Sequence, residues 1–146
     1  MAAFTLVELL LAVAIVAVLA AIAIPSYSSY LDRGRVMQAE GDIVRIEVAI
    51  AQYLADNRTL PNALTVLNNV NLTDPWGNPY QYLDLGVKGA KGQARKDKSL
   101  VPINSDYDLY SLGKDGQSVP PLTAQPSQDD VVRGRNGDFV GLARDF

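Results

Sequence analysis

The stretch Phe4 to Ile24, FTLVELLLAVAIVAVLAAIAI, decides the fold: it is a near-continuous apolar run broken only by Thr5 and by one acid, Glu8. Coiled as an α-helix it reaches about 30 Å, the thickness of a bilayer's hydrocarbon core. A carboxylate inside such a span is costly unless it is neutralised or partnered, so Glu8 is a functional residue by default. Snorkelling to the interface near the helix start is the plainer alternative for it. A signal peptide fits poorly, because residues 1 to 3, Met-Ala-Ala, carry no basic charge and the run exceeds a usual h-region.

Outward from the run, Pro25 lacks an amide donor and crowds the carbonyl of Ala21, which predicts a kinked or loosened helix there. A mere boundary where the chain leaves the membrane is the alternative. Beyond it, Val36, Ala39, Ile43, Ile46, Ile50 and Tyr53 recur at three- and four-residue steps. That spacing predicts one apolar face of a helix running to about Ala55. The first half of this long helix suits lipid and the second half suits a small domain.

Composition narrows the function. The 146 residues contain neither cysteine nor histidine, which removes disulfides, histidine-ligated zinc, imidazole bases and serine-histidine triads together. A net charge of −3 leaves no footprint for nucleic acid. With much of the 48% apolar content spent before Pro25, the remaining domain is polar and loop-rich, and needs a staple such as a metal or assembly.

The second half reads as an antiparallel β domain. Asp74-Pro75-Trp76-Gly77-Asn78-Pro79 is a dense turn cluster, and Tyr80 to Leu85 alternates like a strand. Asp106 to Leu112 is a second strand, antiparallel to the first, and Phe139 to Leu142 a short third one. A short helix is expected over Ala63 to Asn68. Gly86 to Ser99, with Lys88, Lys91, Arg95, Lys96 and Lys98, reads as a solvated charged loop, or as one that touches a neighbouring copy's acids. Trp76, Tyr80 and Tyr82 read as core aromatics, with a substrate-recognition patch as the sharper alternative.

Phe4-Thr5-Leu6-Val7-Glu8-Leu9, the apolar run and Pro25 resemble the N-terminus of type IV pilins and of the pseudopilins of type II secretion. Asp74 to Tyr80 and Asp108 to Gly116 look like the major pseudopilin of that system. The resemblance implies an α+β fold of the type IV pilin kind: a long N-terminal helix, 4–55, packed on a small antiparallel sheet. Residues 1–3 are then a residual leader, 4–25 the membrane-spanning filament core, and 56–146 a globular head with a C-terminal loop. It implies a structural subunit, the major pseudopilin, polymerising into a helical filament of identical copies that exports proteins across the outer membrane. A major type IV pilin of an extracellular pilus is the runner-up; an anchored binding protein and an anchored hydrolase come behind.

The resemblance also assigns residues. A prepilin peptidase would cut between Ala3 and Phe4 and methylate the new amino terminus, and Phe4, Glu8 and Pro25 would serve assembly. Other implied partners are minor pseudopilins and an inner-membrane assembly platform. The single span would sit in the bacterial inner membrane with the head in the periplasm, although Arg33 and Arg35, taken by the charge rule alone, would be cytoplasmic. From spacing alone, Lys114-Asp115-Gly116 is a solvated turn. The resemblance points instead to calcium held by Asp115, Asp129 and Asp130 with Leu112 and Gln117 as further donors, an oxygen set of the kind that ion takes. The acidic pair is reached only after a proline-bearing insertion, and Arg133 to Phe146 extends past the short family ending.

Overall fold

The structure, a computed structural model, describes residues 4–146. The chain divides into two compact units at Gly34 and Arg35. One helix, α1, runs from Leu6 to Asn57, two residues past the expected end. The helix continues unbroken through Pro25, where a kink or loosening is expected from the sequence. Ser26 Oγ donates to the Ile22 carbonyl at 3.0 Å and Ser29 Oγ to the Pro25 carbonyl at 3.1 Å, so hydroxyls add to the backbone ladder around the proline. The helix stops at Arg58, whose left-handed φ of 60° turns its amide back onto the Leu54 carbonyl.

In the first unit the large apolar side chains from Leu6 to Ile24 stand exposed, and this is the one described helix long and apolar enough to cross a membrane. In the second unit the expected stripe is realised. Ala39, Ile43, Ile46 and Ile50 are buried against Leu64, Tyr80, Tyr107, Leu109 and Val131, with Val36, Trp76 and Tyr82 packed around them. Trp76, Tyr80 and Tyr82 therefore belong to the core.

The sheet has four strands in sequential order, every neighbour antiparallel: β1 Gln81–Asp84, β2 Tyr107–Ser111, β3 Val131–Gly134 and β4 Phe139–Leu142. Three match the expected strands, and β3 is one that the sequence pattern does not predict. The pairing Val131↔Leu142 and Gly134↔Phe139 makes β3–β4 a tight hairpin. Arg135 and Asn136 hold φ of 51° and 58° and Gly137 holds 101°, the left-handed turn that an Asn-Gly pair favours. Alternation puts Val131 in the core under α1 and Val132 in a second cluster with Ile103, Leu122 and Ala143. The expected short helix over Ala63 to Asn68 is a single turn, Leu64–Val66.

The β1–β2 connection departs most from its reading. Lys88, Lys91 and Lys98 are exposed, as a solvated loop requires, but Ala90, Ala94 and Arg95 are buried. A charged residue leaves water only where a partner waits, and here one does.

Candidate functional site

At the start of α1, Thr5 and Glu8 form a reciprocal cap. Glu8 Oε2 accepts from the Thr5 amide at 2.9 Å and from Thr5 Oγ1 at 2.8 Å, and Thr5 Oγ1 accepts from the Glu8 amide at 3.2 Å. The spacing Thr-x-x-Glu ahead of an apolar run is the capping-box signature, which satisfies amides that a helix start leaves orphaned. Phe4 precedes it, 87% exposed. The expected cut after Ala3 falls outside the described residues on its N-terminal side. What this end offers chemically is one carboxylate on an apolar helix, held by its own first turn and open to a stronger, cationic donor.

Two staples fix the second half of α1 to the sheet. Buried Arg133 of β3 donates from Nε to Glu47 Oε1 of α1 at 2.8 Å, and from Nη1 and Nη2 to the Asp106 carboxylate at 2.9 and 2.8 Å. Its guanidinium also lies 4.1 Å from the centre of the Tyr107 ring. Burial, the largest influence, pushes the Asp106 carboxyl up, but the hydrogen bonds and charge of Arg133 and the Tyr107 amide at 2.7 Å together hold it below the usual carboxylate range. The second staple is Tyr80, whose hydroxyl donates to Asp42 Oδ2 at 3.2 Å. Burial first, and then the charge of Asp42, push the Tyr80 phenol well up.

The Asp74 turn supports the C-terminal loop from below. Asp74 Oδ1 accepts the amides of Trp76 at 3.0 Å and Asn78 at 2.8 Å, Oδ2 accepts from Ser111 Oγ, and Asn78 Nδ2 donates to the Gly113 carbonyl at 3.2 Å. Gly113 needs to be glycine: its φ is 65°, and a side chain there would run into the Asp129 backbone.

The expected calcium donors fall into two groups. Asp129 Oδ2 accepts the amides of Lys114 at 2.8 Å and Asp115 at 3.1 Å, and Asp115 Oδ1 accepts the Gln117 amide at 2.8 Å, with Leu112 half-buried beside this turn. Asp130 is committed elsewhere, its Oδ2 accepting from Arg95 Nη2 and from Ser118 Oγ. Among the described residues no three acidic side chains come together as metal ligands. Within this pair Asp130 Oδ1 and Arg95 Nε are buried without a hydrogen-bond partner, while Oδ2 of the same carboxylate meets the arginine cation. The arrangement does not fit a calcium cage that includes Asp130 with the other four residues, since a buried guanidinium already faces that carboxylate. Burial pushes the Asp130 carboxyl up, to about 6, against the pull of Ser118 and Arg95.

Reading the residues in isolation missed Arg95, Arg133 and the Thr5 cap. Only the cap had a local signal, the Thr-x-x-Glu spacing.

Comparison with known proteins supplies the assignment. The chain is 35% identical to the type II secretion system core protein G of Pseudomonas aeruginosa, the alignment covering 78% of this chain and 84% of the relative. The Vibrio cholerae protein of the same name is 29% identical, covering 78% and 81%. A type IV major fimbrial protein, FimA of Dichelobacter nodosus, is 36% identical over 52% of this chain and 48% of its own length. No family model matches the chain, and no solved structure does.

Proposed function

The chain belongs to the family of type II secretion system core protein G, the major pseudopilins, and on that premise we propose that its copies assemble through Glu8 and the Phe4 amino group into a periplasmic filament. One observation carries the reading: the stretch of α1 from Leu6 to Ile24 exposes its large apolar side chains, and its one acid, Glu8, sits a single turn from Phe4. Cleavage after Ala3 by a prepilin peptidase would create a cationic amine at Phe4. In a low-dielectric filament core that amine and a neighbouring copy's Glu8 attract strongly, whereas either alone is expensive, so the pair favours addition of a subunit and sets its axial register. Methylation of the amine keeps its charge.

The remaining parts follow from the same premise. The apolar span holds the subunit in the inner membrane until it is added, residues 56–146 form the periplasmic head, and an assembly platform and minor pseudopilins are the partners. Pro25 is the place where packed helices would loosen, since proline has no amide to donate to the Ala21 carbonyl. The chain has no phosphate-binding loop of the Gly-x4-Gly-Lys-Ser/Thr type, so the work of assembly is supplied by another protein. Relatives named as fimbrial proteins align over about half of the chain, and the core protein G relatives over nearly four fifths, which favours the secretion filament over a surface pilus.

The test is Glu8→Leu in the full chain, expressed with the assembly machinery. Membrane fractionation should show normal insertion, and negative-stain microscopy should show filaments lost. Filaments of normal abundance would refute the pairing.

A further inference from the structure

The C-terminal loop already contains a cation. Arg95, 3% exposed, donates from Nη1 to Ser118 Oγ and to the Val119 carbonyl, the latter at 2.7 Å, and from Nη2 to Asp130 Oδ2. Three oxygens from one loop thus converge on a single positive group, a donor chemistry that would otherwise suit a hard metal ion. Tyr110 of β2 closes the fourth side, with the guanidinium 4.3 Å from its ring centre. The backbone around Arg95 is pinned as well: its amide donates to Asp108 Oδ2 at 2.7 Å and its carbonyl accepts from Ile103 at 3.0 Å.

We propose that the Arg95 guanidinium is the resident cation of this loop, taking the place of a divalent ion, so that the head folds without bound calcium. Three physical arguments support the exchange. A guanidinium is permanently charged and presents a fixed fork of donors, which matches a carboxylate, a hydroxyl and a carbonyl at once. A second cation introduced beside Asp130 would meet the Arg95 charge at close range in a buried setting, where repulsion is poorly screened. Finally, the loop between Ser118 and Asp130 has its own closure, because Ser127 Oγ donates to the Val119 carbonyl at 2.7 Å and accepts the Val119 amide at 2.9 Å. That closure presents the Val119 carbonyl to Arg95 with no ion needed to shape it. The inference is independent of the filament reading, since it concerns only how the head is tied together.

The experiment uses the full chain in detergent micelles. Melting temperature is measured with a chelator, with millimolar calcium chloride and with neither, and calcium binding is measured by isothermal titration calorimetry. The proposal expects the three melting temperatures to agree within about 2 °C and the titration to show no binding heat. Arg95→Met should lower the melting temperature by roughly 5 °C or more in all three conditions, because an acid is left buried without its partner. Arg95→Lys should recover part of that loss. Stabilisation of the unmodified chain by calcium, or a saturable binding heat, overturns the proposal even if Arg95→Met fails to fold. An Arg95→Met protein that melts with the unmodified chain overturns it too.

Discussion

Glu8 Oε2 lies 2.9 Å from the Thr5 amide and 2.8 Å from Thr5 Oγ1, so the acid of the apolar helix is occupied by its own first turn. The cap gives an intramembrane carboxylate a neutral partner within one subunit, which lowers the cost of carrying it in lipid before assembly. Neutral donors are weaker than a cationic amine. Assembly then amounts to replacing part of the cap with a stronger bond to another copy.

Cap and pairing can be separated by substitution. Thr5→Val removes the hydroxyl but leaves the backbone amide, the carboxylate and the Phe4 amine in place. Such a cap loss costs a helix about 1 kcal/mol. Filaments should persist at reduced yield by negative-stain counting, in contrast to their loss in Glu8→Leu. Equal loss in both variants would mean that the acid acts through the cap.

Arg133 ties α1 to the sheet through Glu47 and to the loop before β2 through Asp106. Arg133→Met keeps much of the side-chain volume and strands two carboxylates, each still partly reached by water. The expected loss is about 2 to 4 kcal/mol, toward the low end of what breaking a buried pair costs. Chemical denaturation followed by circular dichroism would show it as a lower midpoint with an unchanged slope. A change below about 0.5 kcal/mol would remove Arg133 as the link.

The same pair sets an acid limit. Because the folded Asp106 carboxyl titrates below its unfolded value, its contribution is present above about pH 4 and is lost as pH falls through the lowered value. The melting-temperature gap between the unmodified chain and Asp106→Asn should therefore stay constant from pH 7 to pH 5 and narrow below about pH 4. A gap that widens on acidification contradicts the assignment.

Legibility from sequence followed the range of the interaction. The stripe from Val36 to Tyr53 was readable because helical period alone places Ile43, Ile46 and Ile50 on one face, and all three are buried. Strand β3 was missed because its two valines are followed by Arg133, whose burial depends on Glu47, 86 residues earlier. The Asn136-Gly137 turn was the neglected clue to that hairpin. In sequence Arg95 looks like the lysines around it, and only distant partners, Tyr110, Ser118, Val119 and Asp130, distinguish it from them. Asp129 and Asp130 looked like one acidic pair, yet their carboxylates serve different partners: the turn amides for the first and the arginine for the second. Sequence adjacency said nothing of that division.

The most direct test of the filament account is a cryo-EM map of the assembled polymer at a resolution that shows side chains. The account predicts the Glu8 carboxylate within salt-bridge distance of the Phe4 nitrogen of a neighbouring copy, inside a core of packed apolar helices. Glu8 still bonded to its own Thr5, with the neighbouring amine far away, would contradict it.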